Sequence, residues 1–175
     1  EGAVELTATA VDAAGNAASD AVTIQVDRTP PALTMAAPGP GAFLQGPTVA
    51  VSGTLADASP AAVDVNGVAA TLTDNGDGTF TYAAEVAVSD GALTLAVTAT
   101  DAAGNASQLT RAVTIDGTPP AVSIATPADG AFLSTAAVTV SGSVTDATVV
   151  TVDVNGSAAA VTDNGDGTFG YTVDI

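Results

Sequence analysis

The 175 residues carry nineteen acids against two bases, Arg28 and Arg111, for a formal charge of −17, with no Cys, His, Trp or Lys. Such a balance repels nucleic acid and anionic membranes. Without His or Cys, the many Ser and Thr lack a usual nucleophile–base partner, so the reading is of a non-enzyme. Only 12 % of residues are charged and 47 % are apolar, which separates the chain from disordered acidic tails. No apolar run is long enough to span a membrane as a helix. With no initiator Met or leader pattern, Glu1 is expected to lie inside a longer protein.

Residues 1–27 read as two strands, an alternating one at 3–11 and a β-branched one at 21–26, around the turn Asp-Ala-Ala-Gly-Asn at 12–16. The segment returns 89 residues later, at 92–116. Residues 27–86 align with 116–175 without a gap, giving 33 identities in 60 positions. A fixed long period marks a repeat array. What recurs unchanged is mostly punctuation: TPP, GAFL, SG, VDVNG and TDNGDGTF.

The complete repeat predicts seven strands. Strand A covers 32–36 and strand B 48–56, with Gly53 on the apolar face as a bulge or a close backbone contact. Strand C covers 62–65, and Asn66-Gly67 then demands a type I′ hairpin turn. Strand C′ covers 68–73, E 79–88, F 92–100 and G 108–115. Arg111 falls on the apolar parity of G, as expected of a side chain that snorkels at a sheet rim. Short strands with turns every eight to twelve residues argue an all-β, Ig-like two-sheet sandwich. The domains are therefore expected at 1–27 (strands F and G of one repeat), 28–116 (a complete repeat) and 117–175 (strands A to E of the next).

Asp74-Asn75-Gly76-Asp77-Gly78 has carboxylates but lacks an EF-hand's oxygen ligands at its third and fifth positions. It reads as a hairpin turn with Gly at positive φ, and so does its copy at 163–167. Strand direction makes a stronger case for the other acids. Alternate loops of a sandwich gather at one end, so linker Asp27, Asp57 between B and C, and Asp101 between F and G are expected to converge, with Asn105 beside them. The second joint would use Asp116 and Asp146, and Asp12 is the copy of Asp101. Clustered carboxylates repel unless a cation sits among them, and hard oxygen donors without His or Cys favour a structural calcium. Acids that recur in every repeat do not make the single site an enzyme needs.

The TPP linker, the P-x-x-G-A-F-L loop, D-x-N-G, D-N-G-D-G-T-F and D-A-A-G-N closing on V-T-I-D resemble the bacterial Ig-like tandem repeats of large, type I-secreted surface adhesins. The resemblance covers the whole chain. It implies an extracellular, cell-attached stalk or fibre, often with calcium at the domain joints, whose partners are neighbouring repeats of the same or an adjacent chain. No direct membrane insertion is expected and no particular ligand is implied. Two other functions stay open: a filament subunit whose split domains are completed by its neighbours, and an adhesin module binding a glycan or host protein. Against the latter, Phe43, Phe80 and Tyr82 recur as Phe132, Phe169 and Tyr171, the pattern expected of packing residues.

Overall fold

The computed structural model describes residues 1–148 and 150–175. The chain divides into two compact units, Glu1–Gly117 and Thr118–Ile175, and no helix occurs among the described residues.

The first unit opens with a hairpin. Strands β1 (Gly2–Val11) and β2 (Ala17–Val26) pair antiparallel, Gly2 facing Val26 and Val11 facing Ala17. Turn chemistry closes the pair: the Asp12 amide donates to the Asn16 carbonyl at 2.9 Å, with Gly15 at a φ of 87°.

The sandwich follows. Its strands are β3 (Ala32–Leu33), β4 (Phe43–Leu44), β5 (Thr48–Ala56), β6 (Pro60–Val65), β7 (Val68–Ala69), β8 (Thr71–Asp74), β9 (Thr79–Ala87), β10 (Gly91–Asp101) and β11 (Ala106–Ile115). One sheet has the order β3-β5-β9-β8, the other β4-β11-β10-β6-β7. Between them lies a core in which Val51, Leu55, Val65, Tyr82, Leu95, Val97 and Ile115 are almost wholly buried. Alternation puts them there: β5 and β10 bury every second residue, as period-two strands must.

One expected strand turns out to be divided between the sheets, and one expected loop carries a short strand of its own. Strand A follows β5 through the expected 32–36, paired at 32–33 and then bonded through the Thr34 and Ala36 amides to the Thr54 and Ser52 carbonyls at 2.9 and 2.8 Å; the chain then crosses over, and Phe43 and Leu44 run parallel to β11. Strand C′ is the divided one, β7 pairing with β6 and β8 with β9. Corners of a sandwich are made by strands that change sheets, and half-buried Ala70 sits at this one, its amide bonded to the Val63 carbonyl at 2.8 Å. The crossover also corrects the reading of Phe43 as a packing residue. On the short edge strand Leu44 turns inward and Phe43 outward, 69 % exposed.

Gly53 is explained by close approach. Its pairing with Tyr82 is unbroken, but a Cβ there would lie 2.0 Å from the Thr34 carbonyl oxygen. Tyr82 Oη donates to that same carbonyl at 2.7 Å. Asn66 and Gly67 both have positive φ, 49° and 87°, as a type I′ turn requires. The Asn66 side chain then stitches the turn to β10, accepting from the Ala96 amide at 2.7 Å. Arg111 is half-buried and donates to the Pro38 carbonyl.

The second unit contains β12 (Ala121–Thr126), β13 (Thr139–Thr145), β14 (Asp153–Val154), β15 (Ser157–Ala158), β16 (Ala160–Asp163) and β17 (Thr168–Asp174). Its main sheet, β12-β13-β17-β16, reproduces β3-β5-β9-β8. The glycine contact is reproduced too: a Cβ on Gly142 would meet Ser123 O at 1.9 Å, and Tyr171 Oη donates to that oxygen at 2.9 Å. The buried core is smaller, namely Val140, Val144, Phe169 and Tyr171.

Candidate cation site

Three loops meet at one end of the first unit. Asp101 closes β10 and sits in the turn before β11. Its Oδ1 accepts from the Asn105 amide at 2.8 Å, and its Oδ2 from Asn105 Nδ2 at 2.7 Å. The turn residues make this inevitable: Gly104 supplies a φ of 92°, and an Asp four residues before Asn can bind both its nitrogens. Asp57 leaves β5 and accepts the Ser59 amide at 2.7 Å. Asp27 ends the hairpin β1–β2 and accepts the Thr29 amide at 3.0 Å.

The three carboxylates come together. One oxygen from each of Asp27, Asp57 and Asp101 lies within 4.8 Å of the others. Asp101 is only 3 % exposed, and Asp27 and Asp57 are half-buried. Asn105 joins them, its Nδ2 donating also to the Asp27 carbonyl at 3.2 Å. The backbone amides, the Ser59 hydroxyl and the Asn105 side-chain amide that donate to these carboxylates are all neutral. Burial pushes the Asp101 carboxyl up, but the side-chain and backbone hydrogen bonds from Asn105, with those from the Ala103 and Gly104 amides, together outweigh it, and the group ends below the ordinary aspartate value. The arrangement concentrates negative charge in a sheltered cluster of hard oxygens.

Ser59 was not anticipated. Its Oγ donates to Asp27 Oδ2 at 3.1 Å, tying the loop after β5 to the linker. The signal was Asp-Ala-Ser at 57–59, echoed by Asp-Ala-Thr at 146–148, an Asx turn whose third residue carries a hydroxyl.

The other expected site residues stand as follows. Asp12 makes the same bonds to Asn16 as Asp101 makes to Asn105, at 2.8 and 2.7 Å, and hydrogen bonding from the Asn16 side chain lowers its carboxyl. Its turn is exposed. Asp146 binds the Thr148 hydroxyl and amide at 2.7 and 2.8 Å, which lower its carboxyl. Asp116 belongs to the first unit and Asp146 to the second. Asp74 and Asp77 serve hairpin geometry, accepting from the Gly76 and Thr79 amides at 2.8 and 3.0 Å.

No curated protein matches the chain. The crystal structure of an engineered protein is similar over 49 % of this chain and 20 % of its own length, at 23 % identity and a TM-score of 0.37. This chain thus spans about a fifth of that structure. The family model of glucodextranase domain B matches twice, at residues 31–117 and 120–175, once in each unit. Domain B of glucodextranase is an Ig-like, non-catalytic β-sandwich accessory domain. With both matches together covering most of the sequence, the chain belongs to the glucodextranase domain B family.

Proposed function

We propose that the chain is a structural repeat segment of an extracellular bacterial adhesin or fibre, a spacer whose joints calcium stiffens. The observation that carries this is the convergence of Asp27, Asp57 and Asp101 within 4.8 Å. Two oxygens bound to one calcium lie at most about twice a 2.3–2.6 Å bond apart, so the spacing suits a single ion. The residues come from the linker and from two loops of the sandwich, so an ion held by all three ties one repeat to the next. Arg28 and Arg111 are the only bases in the chain, and Arg111 is engaged at Pro38. Membership of a family named for an accessory domain supports a supporting role for the sandwich.

Thermal unfolding of the full chain in calcium and in chelator tests the reading. Calcium should raise the melting temperature by mass action, and Asp101→Ala should remove the rise while leaving a folded sandwich. Identical melting curves, with no heat of calcium binding by calorimetry, would falsify it. A second reading, a module that binds a glycan or a host protein, is favoured by Phe43, an aromatic side chain 69 % exposed. Retention on immobilised glucan that Phe43→Ala abolishes would establish it.

A further inference from the structure

The loop Asp-Asn-Gly-Asp-Gly-Thr-Phe occurs twice, at 74–80 and 163–169, and its two copies fold alike. Asn75 and Asn164 donate their backbone amides to the carbonyls of Thr79 and Thr168, each at 3.0 Å. Gly76 and Gly165 both have a φ of 78°, and their amides donate to Oδ1 of Asp74 and Asp163 at 2.8 Å. Asn75 Nδ2 donates to the Thr79 hydroxyl and Asn164 Nδ2 to the Thr168 hydroxyl, both at 2.9 Å. Residues 74–78 and 163–167 are exposed in both copies.

One bond separates them. In the first copy the Thr81 hydroxyl donates to Asn75 Oδ1 at 3.1 Å, so the carboxamide is held at both ends. Residue 170, the equivalent of Thr81, is glycine. The register is the same, Gly170 facing Thr162 as Thr81 faces Thr73. With no hydroxyl at position 170, Asn164 Oδ1 loses that bond, and its carboxamide is held at one end only. The difference lies inside two equivalent hairpins and comes from the identity of a single residue.

We propose that Asn164-Gly165 is a modification site, which deamidates ahead of its twin at Asn75-Gly76. A glycine after asparagine favours ring closure, because it has no side chain to obstruct a close backbone approach. The Gly165 nitrogen attacks Asn164 Cγ, a C–N bond forms, and the nitrogen's proton passes to solvent. The Cγ–Nδ2 bond breaks, and Nδ2 takes a proton from solvent and leaves as ammonia. Water then opens the succinimide at either carbonyl, giving aspartate, or isoaspartate in which the main chain runs through the side-chain carbon. One water is consumed and one ammonia released, with no change of oxidation state. For the attack, the carboxamide must swing until Cγ reaches the glycine nitrogen. Asn164 breaks one side-chain bond to do so and Asn75 breaks two. Asn66, also followed by glycine, is pinned to backbone at both ends, its Oδ1 accepting from the Ala96 amide at 2.7 Å and its Nδ2 donating to the Thr94 carbonyl at 3.2 Å. Either product adds a negative charge to a chain already at −17. Isoaspartate also lengthens the main chain in the tight loop between β16 and β17, so that hairpin loosens irreversibly with age while β8–β9 is preserved.

Incubation of the full chain at mildly alkaline pH, followed by peptide mapping with mass spectrometry that separates aspartate from isoaspartate, is the test. Conversion at Asn164 should run roughly two- to tenfold ahead of Asn75, the ratio that one net hydrogen bond supports. Gly170→Thr should restore the missing bond and slow Asn164 to the pace of Asn75. The strand has room for it, since a Cβ on Gly170 would meet nothing within 4 Å and its φ is not left-handed. Thr81→Ala makes the converse change in the first unit and should speed Asn75 to the pace of Asn164. Equal rates at the two asparagines in the wild-type chain overturn the inference. Faster conversion at Asn75 overturns it too, by showing that the Thr81 hydroxyl activates the carbonyl rather than restraining it. A Gly170→Thr chain in which Asn164 converts as fast as in wild type does the same, since a generally looser second unit, and not the missing bond, would then set the rate.

Discussion

The hairpins β1–β2 and β10–β11 share a ladder, a turn sequence and a set of turn hydrogen bonds, yet Leu6 is half exposed and Leu95 is fully buried. The difference separates two layers of folding information. Asp-Ala-Ala-Gly-Asn and the alternation around it act locally and specify the paired strands wherever they occur. Burial is supplied by the opposing sheet, and it decides whether the pair is stable, because an isolated two-stranded hairpin is marginal in water. The repeat carries the first layer in every copy. The second layer exists only where strands A to E and F to G meet.

Truncating the matched leucines gives the largest contrast. Leu95→Ala removes a fully buried side chain and should destabilise the first unit by about 2–5 kcal/mol. Leu6→Ala, in dilute monomer, should cost under about 0.5 kcal/mol. Urea titration of the two variants measures both. Equal losses would mean that β1–β2 is packed on the sandwich in solution, and the contrast between the hairpins would collapse.

A glycine pair sharpens the same comparison from the side that both units possess. Gly53 and Gly142 each face a carbonyl oxygen about 2 Å from where a Cβ would go, with a tyrosine hydroxyl at 2.6 Å. Backbone cannot yield as a side chain can, so Gly53→Ala and Gly142→Ala should each cost roughly 1–3 kcal/mol. The effects should be similar, since the contact lies within one sheet and its neighbouring segment and owes nothing to strands F and G. If Gly142→Ala were harmless while Gly53→Ala were not, the second unit would lack the packed sheet described above.

How much of this could be read in the sequence follows the same division. Strand positions, the type I′ turn at Asn66-Gly67 and the close approach at Gly53 were legible, because φ and parity are local properties. The grouping of Asp27, Asp57 and Asp101 was legible from strand direction, which places alternate loops at one end. The crossovers at Ala70 and between β3 and β4 were not. Nothing in residues 68–73 marks which half pairs with which sheet, for that is settled by the corner of the sandwich. Phe43 misled for the same reason: its parity in GAFL depends on a two-residue edge strand that only the crossover creates. Ser59 escaped notice because a serine in an Asx turn looks complete in itself, and its bond to Asp27 spans 32 residues.

The smallest expected effect concerns the two equivalent turns in acid. Asp101 and Asp12 both sit below the ordinary aspartate value, Asp101 because the bonds from Asn105, Ala103 and Gly104 together overcome burial and Asp12 chiefly because the Asn16 side chain donates to it. A depressed folded-state value stabilises the fold above the unfolded value, about 3.9 for aspartate. Lowering the pH further protonates the unfolded chain first, so that stability is lost as the pH falls towards the folded value. Wild-type protein in chelator should therefore weaken on the acid side of about pH 4, and Asp101→Asn should flatten that limb of the profile. Asp12→Asn should leave the melting of the sandwich untouched, since the turn at Asp12 is exposed and lies outside its core. A calcium held by these carboxylates, as proposed, would add a second acid-sensitive step, because protons and the cation would compete for the same oxygens. Superimposable acid profiles for wild type and Asp101→Asn would show that the Asn105 bonds position the loop without favouring the ionised carboxylate. Asp101 would then be a hinge of the turn, and its role in gathering Asp27 and Asp57 would be steric.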